Sequence, residues 1–329
     1  MGKTRDNPYY YSFAEYCKNT FGRRLYRVAL DAGFTCPHRD PVTGEGGCIF
    51  CSDAGSGEFS LDFHGQELTM DDIESVLGTR AKREGRPGDF IAYFQSFTNT
   101  FAPVNELRHL YESALANDLF AGISVATRPD CMGEEVSELL SELKGRYPHK
   151  FIWIELGLQT VHEKTALFIN RGYSLDVFEK CVNDLGQISI PVIAHVIAGL
   201  PGETQDMVFQ TIEYLNDLKI SGIKIHLLHM IRGTSLHEIY EAQERNGSRP
   251  LEGEPLVRPL SFDEYTDTVC GCLERLSPDI VVHRLTGDCD KDSLVAPLWS
   301  LEKGKVINAI RHKMKERQQG RPDSLNMCT

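Results

Sequence analysis

The chain has 329 residues, 41% of them hydrophobic and 25% charged, with a formal net charge of −12 and a pI near 5.4. This composition suits one large globular domain, or a domain with an extension, and excludes a disordered or fibrous chain. The acidic balance argues against general affinity for DNA or RNA, which needs cationic surface to neutralise phosphates, but leaves room for a local basic patch.

The opening MGKTRDNPYYYSF lacks the apolar run of a secretory leader, and no stretch of about 18 apolar residues is present to cross a membrane. A soluble cytoplasmic protein without membrane contact is therefore expected. Ten cysteines in such a chain point to metal binding or catalysis rather than to disulfides.

Short β-branched runs then alternate with amphipathic segments. LYRVALDA (Leu25–Ala32) reads as the first buried strand and runs into GFTCPHRDPVTGEGGCIFCSDAGSG. FIAYF (Phe90–Phe94), GISVAT (Gly122–Thr127), FIWIELGL (Phe151–Leu158), PVIAHVIAGL (Pro191–Leu200) and GIKIHLLHM (Gly222–Met230) continue the series, and IVVHRL (Ile280–Leu285) adds a possible seventh. Continuous apolar runs suit parallel strands covered on both faces. Between them, Met70–Glu84, Val104–Asn117, Glu134–Lys144, Leu175–Leu185 and Thr204–Leu218 space apolar residues at helical intervals. The alternation implies βαβ crossovers in one parallel sheet. Six units predict an α/β fold of the partial (β/α)6 TIM-type barrel class, with a doubly wound open sheet as the competing arrangement.

Residues 246–259 are rich in Gly, Pro and charge and read as a loop; Phe262–Leu276 and Leu298–Gln318 follow as helices. The division expected is an N-terminal segment (1–24), a barrel (25–245) and a C-terminal α/β extension packed on it (246–329).

Cys36, Cys48 and Cys51 are spaced C-x11-C-x2-C in a Gly-rich loop at the carboxyl end of the first strand, the edge where parallel α/β proteins build their sites. Three thiolates can hold three corners of an iron–sulfur cubane and leave the fourth iron open. Glycines 44, 46, 47, 55 and 57 let backbone wrap closely round such a group. Zinc held by these cysteines with His38, and three unrelated thiols, are the other readings of the same residues.

At GGCIFC, with Phe50 just before the last cysteine, the sequence resembles the radical S-adenosylmethionine (SAM) superfamily. The usual spacing there is C-x3-C-x2-C, and the wider gap here is similar to the branch of the elongator catalytic subunit. Further motifs follow in the family's order at strand ends. YFQSFTNTF places Gln95, Ser96, Thr98 and Asn99 where the family faces the SAM amino group, without its usual glycines. ATRPD brings Thr127 and Arg128 to the site. In ELGLQT, Glu155 and Gln159 match positions near the SAM ribose; in INRGY, Arg171 matches an arginine that pairs with the SAM carboxylate. HVIAGLPGET resembles the segment along adenine, through Ile197, Gly199 and Leu200.

The resemblance implies a [4Fe–4S] cluster and SAM as cofactors, a flavodoxin or ferredoxin-type reductant, and a 5′-deoxyadenosyl radical that abstracts hydrogen from substrate. KIHLLHMIRGT, HRLTGD and LVAPLW look like a subfamily that includes a Gram-positive tRNA wobble-uridine enzyme. That enzyme is implicated in converting a carboxymethylaminomethyl side chain toward the aminomethyl form. A small-metabolite or porphyrin-like substrate is the alternative, and a zinc-stabilised binding module without turnover is a third reading.

Lys224, His226 and His229 on the sixth strand read first as residues lining the barrel, and otherwise as substrate contacts. His283, Arg284 and Asp288 form a second polar group, so the candidates for substrate chemistry are His226, His229, His283, Arg284 and Asp288. Cys270 and Cys272, with Cys289 and Cys328, are a weak pattern for an auxiliary cluster, because CxC on a helix points its thiols to different faces. Cys17, Cys131 and Cys181 read as ordinary buried thiols. Arg311, Lys313, Lys315, Arg317 and Arg321 on the last helix read as a solvated face, with a phosphate-binding stripe as the functional option.

Overall fold

The computed structural model describes residues 7–39, 46–53, 55, 60–78, 86 and 88–319. Gly44, Gly57, the expected helix end at Glu84, Arg321 and Cys328 lie outside them.

The main sheet holds β1 (Tyr26–Asp31), β2 (Leu61–Asp62), β3 (Phe90–Phe94), β4 (Phe120–Thr127), β5 (Phe151–Gln159), β6 (Val192–Ala198) and β7 (Gly222–Leu227). A short β8 (Met230–Ile231) pairs antiparallel with β10 (Leu294–Ala296), while β9 (Val281–Arg284) joins the main sheet beside β7. The order β2-β1-β3-β4-β5-β6-β7-β9 is parallel throughout, and apart from the two-residue β2 on the outer side of β1 the strands follow in chain order. A doubly wound sheet stays open, with its outer strands far apart.

The sheet curls. Lys224 on β7 donates to the Tyr93 hydroxyl on β3 at 3.0 Å, and Arg27 on β1 lies 2.5 Å from Nδ1 of His283 on β9. In a flat sheet strands sit roughly 4.8 Å apart, so side chains that many strands apart could not meet. The result is the partial TIM-type barrel expected, with β9 as a seventh principal strand and a C-terminal extension.

The helices covering it are α1 (Phe13–Phe21), α2 (Met70–Leu77), α3 (Val104–Ala116), α4 (Glu134–Arg146), α5 (Glu163–Phe168), α6 (Leu175–Gln187) and α7 (Gln205–Asp217). The chain closes with α8 (Ser235–Arg245), α9 (Phe262–Arg275) and α10 (Lys303–Gln319). Outward strand residues such as Val28, Leu30, Ile123, Ile154 and Ile223 are fully buried against apolar helix stripes that include Leu107, Leu139, Leu185 and Ile212. No helix among the described residues is long and apolar enough to cross a membrane.

Alternate strand residues point inward and stack in layers. At the amino end, Ile91, Trp153 and Ile193 pack with Phe13, Tyr16 and Phe21 of α1 and plug the barrel. His283 belongs to this plug: its ring stacks on Phe13 at 4.8 Å and meets Trp153 edge-on at 5.7 Å. Gly222 makes room for it, since a Cβ there would lie 2.6 Å from His283 Nε2 and 3.1 Å from Ile193.

The terminal helix expected from Leu298 starts only at Lys303, after a 3-10 turn over Leu298–Leu301. The turn is fixed by the Trp299 indole, which donates to the Leu260 carbonyl at 3.2 Å and packs on Phe262 and Tyr265. Two cations of the basic stripe are engaged within the fold. Lys313 pairs with Asp263 and Asp267, and Arg317 with Asp267 and Glu274, so both fasten α10 to α9. Cys270 and Cys272 are fully buried among apolar neighbours on α9, with the Cys270 thiol 3.6 Å from the Ile310 carbonyl, whereas Cys289 lies at the barrel mouth. They do not gather at one point.

Gly222→Ala is expected to cost about 1–3 kcal/mol by overpacking. A urea unfolding midpoint measures it, and adding His283→Ala should recover part of the loss if the plug is the cause.

Candidate active site at the carboxyl ends of the strands

The loop after β1 carries Cys36, a 3-10 turn over Pro37–Arg39, and then Cys48 and Cys51. Backbone from distant elements holds it. Asn170 donates to the Gly47 carbonyl at 2.8 Å, Ile49 N–H to the Ile169 carbonyl at 3.2 Å, and Leu236 N–H to the Ile49 carbonyl at 2.8 Å. Arg39 donates to the Cys51 carbonyl at 2.6 Å.

All three thiols and Phe50 line one cavity of about 300 Å³ at the carboxyl edge of the barrel. Its walls take Gln95 and Thr98 after β3, Thr127 and Arg128 after β4, Gln159 at the end of β5 and Ile197 on β6. The far wall takes His226 and His229 from the end of β7, and Arg284, Asp288 and Cys289 after β9. Gly287 stands beside both imidazoles, with the place of a Cβ at ordinary contact distance, 3.5 Å from His226 and 3.7 Å from His229.

The floor is a buried ionic layer. Glu155, 1% exposed, accepts from Ser124 at 2.7 Å and contacts His195 Nε2 at 2.7 Å, Arg27 Nε at 4.0 Å and the Lys224 ammonium. Burial alone would raise the Glu155 carboxyl, but Lys224, His195 and Arg27 overcome it and hold it well below the usual carboxylate range. Burial pushes Lys224 down to about 7 against the opposing pull of Glu155. Burial also lowers His226, and lowers His229 to about 4 with help from the Lys303 charge, so both rings stay neutral near pH 7.

The cysteine geometry bears on what the site could hold. In a cubane each thiolate takes a different iron, so the sulfurs stand farther apart than around one ion. Among the described residues, no three His, Cys, Asp or Glu side chains converge as ligands of a single metal ion. His38, needed for the zinc reading, packs over Gly172 and is not part of the cavity wall. Burial raises the Cys36 thiol and pushes Cys48 up to about 11. Buried thiols of this kind lose their protons only when a metal takes their place, and three of them beside an open cavity, without His38 in its wall, are a donor set that fits an iron–sulfur cluster better than a closed four-ligand zinc site.

The sequence profile of the radical SAM superfamily matches residues 35–215, and that of the radical SAM C-terminal domain matches residues 220–316. The chain belongs to the radical SAM superfamily. It is 41% identical to the Bacillus subtilis protein YtqA over 322 residues, covering 95% of this chain and 94% of that one. A tRNA uridine(34) acetyltransferase from Methanocaldococcus jannaschii is 26% identical over 280 residues, which is 73% of this chain and 49% of the relative. Among solved structures, an N-terminally truncated Elp3 from Methanocaldococcus infernus superposes with a TM-score of 0.61 at 16% identity. The superposition covers 91% of this chain and 64% of that one, and it supports the fold. This protein is thus a radical SAM enzyme, of a superfamily that uses a [4Fe–4S] cluster and SAM. The non-catalytic zinc module is set aside.

Several residues expected at the site do not reach this cavity. Arg171, 1% exposed, donates from Nε to the Tyr173 carbonyl and from Nη1 to those of Leu158 and Thr160, and its Nη2 pairs with Glu163. It braces the end of β5 and has no face toward a SAM carboxylate. Asn99 is fully buried, its amide donating to the carbonyls of Phe94, Ser96 and Ala126. Ser96 is likewise buried outside the cavity wall. Gly199, at φ +91, makes the turn after β6 against Leu260, and Leu200 joins an apolar cluster with Ile169, Met230 and Leu236. His283 sits in the plug, as described. Glu155 lines the floor, but its oxygens are engaged by other side chains.

Tyr93, His195, Gly157 and Tyr173 line the cavity and were not singled out. Tyr93 and His195 stand two residues before Gln95 and Ile197, so strand alternation alone would have put them inward. Tyr173 carried no such signal; its hydroxyl donates to the Gly157 carbonyl at 2.6 Å, and Arg128 lies 4.8 Å over its ring.

Glu155→Gln leaves Lys224 and Arg27 as buried cations without their carboxylate and is expected to destabilise by roughly 3–5 kcal/mol. Glu155→Gln/Lys224→Met should recover a substantial part, and additive losses in the double-mutant cycle would contradict the coupling. For His229, the folded value lies below the unfolded one of about 6.5. Its contribution is therefore complete above that pH and fades as pH falls toward about 4. Thermal melts of His229→Gln should show a shallower stability loss across that window than the parent.

Proposed function

We propose that Cys36, Cys48 and Cys51 bind three irons of a [4Fe–4S] cluster, and that SAM lies in the cavity beside them. The single observation that carries this is that the three thiols share one cavity with Phe50, Gln95, Thr127, Gln159 and Ile197, all at the carboxyl ends of barrel strands. When bound, the reduced cluster and SAM supply a radical that removes hydrogen from an unactivated carbon. The chain's own work is positioning. Gln95 and Gln159 offer amides to the polar groups of SAM, Ile197 offers an apolar surface to adenine, and the apolar plug below closes the barrel to water. Arg128 lines the cavity near the cysteines where Arg171 does not, with three of its donors held by Asp130 and the Arg171 carbonyl and two left to face SAM. His226, His229, Arg284 and Asp288 form the substrate wall, where each neutral imidazole offers one hydrogen-bond donor and one acceptor and Arg284 is aimed by Asp288 at 2.8 Å. The electron comes from a flavodoxin or ferredoxin-type donor, and the enzyme works in the cytoplasm.

The proposed substrate is tRNA, at the side chain of the wobble uridine. Its support is the relationship to a tRNA uridine(34) acetyltransferase, over part of that protein, together with the resemblance in KIHLLHMIRGT and HRLTGD. The acidic surface and the engagement of Lys313 and Arg317 mean that phosphate binding would have to come from elsewhere than those two cations.

Anaerobic reconstitution should give a brown protein whose visible absorbance is lost in Cys36→Ala/Cys48→Ala/Cys51→Ala, with SAM cleavage abolished. Stoichiometric zinc without iron would reject the ligation. Nucleoside analysis of tRNA from a deletion strain should show a changed wobble-uridine profile. An unchanged profile would remove the tRNA proposal and leave a small-molecule substrate.

A further inference from the structure

Thr98, on the cavity wall, touches a proposed cluster ligand. Its hydroxyl donates to Cys36 Sγ at 2.9 Å, and the side chain is fully buried. The turn that delivers it is fixed from several sides. The Asn99 amide holds three carbonyls, and the Tyr111 hydroxyl donates to the Asn99 carbonyl. Phe97 sits at φ +57, a left-handed conformation that a bulky residue adopts only when its surroundings impose it. What imposes it is the cluster loop: a Cβ on Gly55 would lie 2.5 Å from the Phe97 ring, Phe97 N–H donates to the Gly55 carbonyl at 3.3 Å, and Arg39 lies 5.7 Å over the ring. The turn after β3 and the cysteine loop therefore lock each other, and the contact between them at the sulfur is the Thr98 hydroxyl.

We infer that Thr98 is a positioning residue that raises the reduction potential of the cluster by donating a hydrogen bond to the Cys36 sulfur. This rests on the ligation proposed above. Reduction adds one electron to the cluster, forms and breaks no bond, and leaves the proton on Thr98 Oγ1. The reduced cluster carries more negative charge on its sulfurs, so a donor to sulfur stabilises it more than the oxidised form. A hydroxyl held in a buried, pre-shaped turn makes that bond without reorganising.

The test is a redox titration of the reconstituted full-length protein without SAM, followed by electron paramagnetic resonance of the reduced cluster. Thr98→Val should lower the midpoint by roughly 60 mV, a tenfold change in a one-electron equilibrium, and Thr98→Ser should stay at the parent value. Equal midpoints in all three overturn the inference while leaving the ligation intact. A parent protein that takes up no cluster overturns both. Resonance Raman of the parent gives a reading independent of whether Thr98→Val assembles: an Fe–Sγ stretch that moves on exchange into D2O supports the hydrogen bond, and one that does not move overturns it.

Discussion

A carboxylate at the centre of a barrel is expensive to bury, and the position of Glu155 is explicable only through the groups that converge on it. Ser124 comes from β4, His195 from β6, Lys224 from β7 and Arg27 from β1, so one side chain on β5 ties together four other strands. Removing an ion from water costs several kcal/mol after relaxation, and excellent geometry with every lone pair engaged is needed to offset it. That requirement acts as a constraint on curvature. If the sheet were flatter, Arg27 and Lys224 could not both reach one carboxylate, and each would remain a buried cation.

The layers above and below follow from strand alternation. Two residues toward the amino end of each strand, the interior is hydrocarbon: Ile91, Trp153 and Ile193, closed by the aromatic rings of α1. Two residues toward the carboxyl end, it opens at Gln95, Gly157, Ile197 and His226 into the cavity. The ionic layer is therefore walled from water on one side and faces the cysteine-lined cavity on the other. Groups that stand there rigidly need no reorganisation when a charged ligand arrives, which is the condition under which fixed dipoles and charges are most effective.

The barrel was legible because its signals are redundant. Six apolar runs and the helices between them specify βαβ units, and the structure returns each strand in chain order. Of the cavity wall, residues at strand ends and in the loops that follow were legible: Thr127 and Gln159 close β4 and β5, and Cys36, Thr98 and Asp288 follow β1, β3 and β9. What was not legible is which polar group turns inward at the end of a long side chain. His283 shares its strand and polarity with Arg284, yet the first packs under the barrel and the second lines its mouth, at a register shift of β9 against β7 that breaks the simple alternation. The space left by Gly222 and the stack on Phe13 decide the matter, and both lie far from His283 in sequence. The last helix shows the same limit: the acids that bind Lys313 and Arg317 come from α9, so a local count of charges could not reveal them.

Arg171 carries the general point furthest. Residue type and order in the chain assign it to a carboxylate, but a guanidinium has five N–H donors. Here four are taken, by the carbonyls of Leu158, Thr160 and Tyr173 and by Glu163. Those partners are the backbone of the β5 end and of the segment after α5. Next to them Gln159 stands at φ +60, a conformation most side chains avoid. Arg171 therefore acts on the site at one remove. By fixing the carbonyls on both sides of Gln159 it keeps that residue in its unfavourable backbone state, with its amide 3.2 Å from the Tyr173 hydroxyl at the cavity wall. A buried arginine with most of its donors held by neighbouring carbonyls and a carboxylate is a structural brace whose loss would loosen a neighbour's conformation, whereas one whose donors are open to a cavity can bind a ligand. Counting donors, rather than matching residue types, separates the two.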